Sequence, residues 1–297
     1  MNFQIISDGA CDLQKDYLTA HHVDIVPFYV TFDGVNYVKE GEGITHDEFY
    51  LKMINEHAIP KSSLPSIQDY VDAFTPYVEK NIPIVCITIS GKFSGSYNSA
   101  CNAKNMLLED HENAKIAVID STLNTASEAL FVNEAVEMNE AGVSFEDAVA
   151  ELENIKGSGK IFFTVGSLEY LIKNGRIGKV SVVAGDKLGI RPTIIMENGD
   201  IGLGGISRSR KKSLNNVITN MEKFFKKPEN NIEDYEIVTA CGYNPEEEKE
   251  FRAELEQRLG KKCIDLKVII GTTIGCHTGP YALGAAIVRK NKYTHKK

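Results

Sequence analysis

Short apolar runs alternate with helical patterns along the first half of the chain, and few architectures accept that order. The runs are "FQIIS" (Phe3 to Ser7), "VDIVPFYVTF" (Val23 to Phe32), "PIVCITIS" (Pro83 to Ser90) and "KIAVID" (Lys115 to Asp120). Strands that alternate with helices pair in parallel, with helices covering both faces of the sheet. The helices between them have readable starts. Thr45 with Glu48 forms a capping box, and after Ser66 the apolar residues Ile67, Tyr70, Val71, Phe74, Tyr77 and Val78 recur at helical spacing. A longer helix is expected over 124–141, and Ser144 opens another.

From Lys160 the pattern changes. "KIFFTV" (Lys160 to Val165) reads as a strand, "SLEYLIKNG" (Ser167 to Gly175) as a short helix ended by glycine, and "RPTIIMENGDIGLGGI" as two strands around Asn198-Gly199-Asp200. A basic helix over 208–225, strand "YEIVTACGY", helix "PEEEKEFRAELEQRL" with Pro245 in its first turn, and strand "LKVIIG" follow. The expected architecture is therefore α/β in two domains. Residues 1–159 form an N-terminal Rossmann-like domain with a parallel sheet and helices on both faces. Residues 160–297 form a C-terminal α+β domain with an antiparallel sheet, whose last segment packs back on the first domain. A chain of 297 residues has the length for two such cores.

Charge disfavours one class of function. The formal net charge of -8 disfavours non-specific nucleic-acid binding, and "SRSRKK" (Ser207 to Lys212) is the main basic cluster. None of the six cysteines stands in Cys-x-x-Cys spacing, which points to reduced, buried thiols. The N-terminus has no basic leader with a long apolar core, so a soluble, cytoplasmic protein is expected.

Three loops combine small residues with hydroxyls or an imidazole: "KSSLPS" (Lys61 to Ser66), "SGKFSGSY" (Ser90 to Tyr97) and "GCHTGPYALG" (Gly275 to Gly284). The second follows a strand and leads into a helix, as a phosphate loop does. It lacks the Walker spacing, because Cys86 and Phe93 hold the places of the first glycine and the final hydroxyl. Hydroxyls and amides at a helix start still bind oxygen anions. Each loop alone is equally an ordinary capped turn. Of the seven histidines, only His277 sits in a glycine-rich setting, where it stabilises a turn or serves as a hydrogen-bonding or titrating site residue. Metal-ligand spacing is absent, as is a Gly-x-Ser-x-Gly elbow for a hydrolase built on Ser94, His277 and Asp8 or Asp120. Phe28, Phe93, Phe162, Leu168, Leu171 and Ile190 are candidates for an apolar wall.

Taken in order, eight stretches resemble the DegV family: "SDGACDL" (Ser7 to Leu13), "SSLPS" (Ser62 to Ser66), "SGKFSGSYNSA" (Ser90 to Ala100), "VIDS" (Val118 to Ser121), "LEYLIKNGRIG" (Leu168 to Gly178), "LGIRP" (Leu188 to Pro192), "RSRKK" (Arg208 to Lys212) and "HTGP" (His277 to Pro280). The resemblance implies a long-chain fatty acid, such as hexadecanoate, buried between the two domains, and no other cofactor. It implies a carrier, not an enzyme: the binding subunit of a fatty acid kinase whose other subunit brings ATP, with the acyl phosphate feeding phospholipid synthesis. Carried over by position, Ser62 stands where the family usually has a carboxylate-bonding threonine. Ser94 stands at its carboxylate-binding serine, His277 at its site histidine, and the amides of Gly95 and Ser96 at a helix end. Arg176, Arg208 and Arg210, with Lys173, form a candidate surface for the kinase subunit or a membrane. Gly9 replaces a common serine and Tyr281 a common glycine, the latter expected near the head group. Two other functions stay open. One is a small-carbonyl kinase subunit, as in dihydroxyacetone kinases, with His277 as covalent anchor. The other is a DNA-binding regulator, disfavoured by the charge.

Overall fold

The apolar runs of the first half become buried parallel strands. The computed structural model describes residues 2–183 and 189–295. In chain order come β1 (Gln4–Asp8), α1 (Lys15–Ala20), β2 (Val23–Val26), β3 (Tyr29–Thr31), β4 (Val38–Lys39), α2 (His46–Glu56), β5 (Lys61–Ser63), α3 (Ile67–Val78), β6 (Ile84–Thr88), α4 (Ser96–Asp110) and β7 (Ile116–Asp120). They are followed by α5 (Thr125–Glu140), α6 (Phe145–Ile155), β8 (Lys160–Thr164), α7 (Glu169–Lys173), β9 (Arg191–Glu197), β10 (Asp200–Ser207), α8 (Arg210–Phe225), β11 (Tyr235–Cys241), α9 (Pro245–Leu259), β12 (Val268–Ile269), α10 (Thr272–Thr278) and β13 (Leu283–Arg289). Leu188, the first residue of the Leu188 to Pro192 motif, lies outside the described residues.

The first sheet is parallel, in the order β2-β1-β6-β7. All five residues of β1 and of β6 are buried, as a strand covered on both faces requires. The second sheet has six strands, β10-β9-β8-β13-β11-β12, antiparallel except for the β11–β12 pair. A small antiparallel sheet, β4-β3-β5, stands beside them. The expected single run over 23–32 is divided between two sheets. Pro27 has no N–H to give a ladder and separates β2 from β3.

Helix α5 joins the two larger sheets. Thirteen of its sixteen residues are buried, so it has no solvent stripe, and it contacts β1 on one side and β8, β11, β12 and β13 on the other. One apolar cluster consequently runs from Phe3, Ile5 and Val85 through Leu130 and Phe131 to Val238, Ala286 and Val288. Full burial of each such side chain is worth about 1.5–3 kcal/mol. The capping readings hold: Thr45 and Ser66 both form reciprocal capping boxes, and Ser144 caps α6. The β9–β10 turn has Asn198 and Gly199 at φ 50° and 68°, the pair of left-handed residues a two-residue hairpin needs.

One expectation for the C-terminal segment needs correction. Of the 275–284 stretch read as a loop, residues 275–278 belong to helix α10, and 283 and 284 open β13, which stands in the middle of the six-stranded sheet. Small residues fill β13 because neighbouring backbone is close: a Cβ on Gly284 would lie 2.3 Å from the Phe162 carbonyl oxygen.

Candidate functional site

The parallel sheet puts its carboxyl-terminal loops at one edge, and its order reverses at β1, with β2 on one side and β6 on the other. Open α/β sheets hold ligands in the crevice outside such a point. Buried Asp8, at the end of β1, fixes the loops there. Its carboxylate accepts from Ala10 N (3.2 Å), Ile89 N (3.0 Å) and Ser96 Oγ (2.6 Å), and Tyr70 Oη meets the same Ser96 Oγ at 2.6 Å. Burial pushes the Asp8 carboxyl up to about 6, against the pull of those donors. Glu128 of α5 faces it and is pushed well above the usual carboxylate range, first by burial and then by Asp8 and Asp12.

Asp8 thereby positions the start of α4. Gly95 is the N-cap residue and has no side chain to cap with. Ser94 Oγ accepts from Ser96 N at 3.2 Å, which uses the Ser96 amide and leaves the Ser94 O–H free to donate. Helix α5 begins beside it. Its N-cap residue Asn124 makes no capping bond, and the buried atoms Asn124 Oδ1 and Thr125 Oγ1 have no hydrogen-bond partner. Thr125 holds φ 39°, a left-handed value that costs a β-branched residue roughly 1–3 kcal/mol.

The opposite wall comes from α10. Glu40 accepts from Thr272 Oγ1 (2.8 Å), Thr273 N (2.9 Å) and Thr273 Oγ1 (2.9 Å), capping the helix from the other half of the chain. Tyr50 Oη donates to Ile270 O at 2.9 Å, and a Cβ on Gly275 would lie 2.5 Å from that hydroxyl, so only glycine admits the approach. At the far end, Asn174 Nδ2 donates to Cys276 O (2.8 Å). These contacts set His277 Nε2 at 3.0 Å from Ser62 Oγ on β5. Burial, and secondarily the Arg176 guanidinium, lower the His277 pKa to about 4, so the ring is neutral at neutral pH. Its Nδ1 is buried and unpartnered. In either tautomer the pair keeps one donor to give, Ser62 O–H or His277 Nδ1–H.

Between these walls lies a cavity of about 390 Å³. Ser62, Ser94, Gly95, His277 and Arg176 all line it, together with Phe28, Ile89, Phe93, Ala126, Leu171, Met196, Ile201, Ala240 and Ile274. Among the described residues, none that lines it is an aspartate or glutamate. The cations among its described lining residues rest on carbonyl oxygens: Lys92 Nζ on Asn198 O (2.9 Å), and Arg176 on Asn174 O (2.7 Å) and Phe93 O (3.4 Å). Donors at one end and an apolar body suit an anionic head group with a long chain. Among the described residues the lining offers one imidazole and no carboxylate or thiol, a poor ligand set for a metal.

A family model described as "Uncharacterised protein, DegV family" matches residues 2–290. The chain belongs to the DegV family. It is 31% identical over 293 residues to a DegV domain-containing protein of Clostridium acetobutylicum, covering 96% of this chain and 97% of that one. A DegV domain-containing protein of Staphylococcus aureus is 28% identical over 289 residues, covering 96% and 98%. Among solved structures, a fatty acid (stearic acid)-binding protein from Eubacterium ventriosum superposes with TM-score 0.93 at 48% identity, covering 97% of this chain and 98% of that one. A DegV family protein from Thermus thermophilus, described by its fatty acid binding, gives TM-score 0.85 at 25% identity, covering 97% and 100%.

Within this DegV fold the four expected head-group residues, Ser62, Ser94, Gly95 and His277, come together. Of the expected basic surface, Arg176 is exposed and also lines the cavity, Arg208 is exposed, and Arg210 is half-buried in a two-pronged pair with Glu247 (2.8 and 2.9 Å). Of the expected wall residues, Phe28, Phe93 and Leu171 line the cavity, but Phe162, Leu168 and Ile190 do not. Phe162 points to the other face of β8, against Phe224, and its neighbours Ile161 and Phe163 face the cavity instead. Tyr281 packs on Gly166 outside the lining. Sequence reading missed Lys92, Asn124, Thr125 and Thr273, although Asn124 and Thr125 stand three and four residues after the end of the quoted "VIDS".

Proposed function

We propose that this DegV protein binds a long-chain fatty acid in the cavity, with the carboxylate held by Ser62, Ser94, the Gly95 amide and His277. The observation that carries the reading is a cavity with hydroxyl, imidazole and helix-end donors, an apolar body and, among the described residues, no acidic one in its lining. The stearic-acid-binding relative at 48% identity supports it. A buried carboxylate must regain the hydrogen bonds it leaves in water, and each charge-assisted bond returns about 1.5–3 kcal/mol net. A chain of sixteen carbons gains on the order of 12 kcal/mol at ~0.8 kcal/mol per buried methylene, before binding costs.

On this reading the units 1–159 and 160–297 close around the acid, and the chain is a cytoplasmic carrier, not itself the catalyst. It presents the carboxylate to a separate ATP-dependent kinase subunit, whose acyl phosphate feeds phospholipid synthesis. Two measurements test it. Lipid-stripped protein should bind palmitate or stearate at one equivalent by calorimetry. With the kinase subunit and ATP it should yield acyl hydroxamate when hydroxylamine traps the product. Uptake of dihydroxyacetone with a mass increase on His277, and no fatty-acid binding, would replace this reading with the small-carbonyl one.

A further inference from the structure

At the end of α5 remote from the cavity, three potential ligands converge from two parts of the chain. Glu134 and Glu137 stand one turn apart on α5, His295 comes from the segment after β13, and one ligand atom of each lies within 4.8 Å of the others. Glu134 is wholly buried. Its Oε2 accepts from Asn291 N (2.7 Å) and Asn291 Nδ2 (2.8 Å), whereas its buried Oε1 has no partner. Glu137 Oε2 accepts from Thr294 Oγ1 (3.0 Å) and meets His295 Nε2 at 2.7 Å. Among the described residues, Lys292 pairs with Glu151 (3.0 Å) and Lys290 with Glu236 (3.2 Å).

We propose that Glu134, Glu137 and His295 form a site for a first-row divalent cation, Zn²⁺ foremost, that pins the C-terminal segment to α5. Two carboxylate oxygens and one imidazole nitrogen suit that class, with water completing a tetrahedron. Ligand bonds of about 2.0–2.2 Å place ligand atoms roughly 3.3–3.6 Å apart. The His295–Glu137 contact therefore opens slightly and the wider separations close. Glu134 is nine residues beyond Thr125, about 13 Å along the helix, so the cation is structural and stands apart from the fatty-acid head group.

The test uses untagged, metal-stripped, full-length protein titrated with Zn²⁺, read by calorimetry and by thermal unfolding. The expected result is saturation at one equivalent, with the midpoint rising by roughly 5 °C or more at about a hundred times Kd. His295→Ala and Glu137→Gln should each weaken binding at least tenfold and remove the thermal shift while leaving palmitate binding unchanged. Both residues are only partly buried, so these variants are expected to fold. Absence of saturable binding, or undiminished affinity in both variants, would overturn the proposal.

Discussion

Replacing Ser62 by alanine removes one oxygen and disables two contacts. The hydroxyl lies 3.0 Å from His277 Nε2, and the pair supplies one donor to the head group whichever nitrogen carries the proton. Without it the carboxylate stays in a dry site and loses a charge-assisted bond, a cost of about 1.5–3 kcal/mol, or roughly a 10- to 150-fold rise in Kd. His277→Ala breaks the same unit, so the double variant Ser62→Ala/His277→Ala should cost clearly less than the sum of the singles, by at least ~0.5 kcal/mol. Ser94 belongs to a separate loop. Ser94→Ala with His277→Ala should therefore approach additivity and cost ~2–5 kcal/mol together. The chain has no tryptophan, so displacement of a fluorescent fatty acid from lipid-stripped protein is the suitable assay. A Kd within threefold of the parent for both single variants, or strict additivity of Ser62→Ala with His277→Ala, would refute the reasoning.

Four further outcomes are expected. Ala240→Phe, which projects a ring into the cavity lining, should abolish binding of long acids while sparing short ones, measured by displacement across a chain-length series. His277, lowered from 6.5 to about 4, is protonated more readily in the unfolded chain. Its contribution is present above pH 6.5 and lost toward pH 4, and His277→Gln should flatten ligand-free denaturant stability there by on the order of 2–3 kcal/mol. Glu128 has the opposite sign: its raised pKa means the folded state holds a proton the unfolded state releases, so stability falls as pH rises, and Glu128→Gln should gain on the parent at pH 9 relative to pH 5 in urea unfolding. Arg208→Glu, at an exposed position, should lower acyl-phosphate yield at limiting kinase subunit without changing bound fatty acid.

Much of this was legible in the residues, for identifiable reasons. Parallel strands that are buried on both faces leave unbroken apolar runs, and Thr45, Ser66 and Ser144 mark helix starts through short-range bonds. The cavity-lining residues Ser62, Ser94, Gly95 and His277 were legible through the family motifs. Strand β13 and helix α10 were not, because "LGAAIVR" and "TTIGCHT" are shaped by close neighbours rather than by periodicity. Phe162 and Phe163 are adjacent aromatics, and nothing local tells which faces the cavity. Arg210 reads as a surface charge until Glu247, distant in sequence, is found beside it. Glu40 caps α10 across 232 residues of chain, a contact no local pattern announces.

The most direct test of the fatty-acid reading is native mass spectrometry of the purified chain, followed by denaturation, solvent extraction and identification of what is released. The account predicts a stoichiometric long-chain fatty acid that leaves only on unfolding or exchange. A chain that is empty as purified and takes up no added long-chain acid would contradict it.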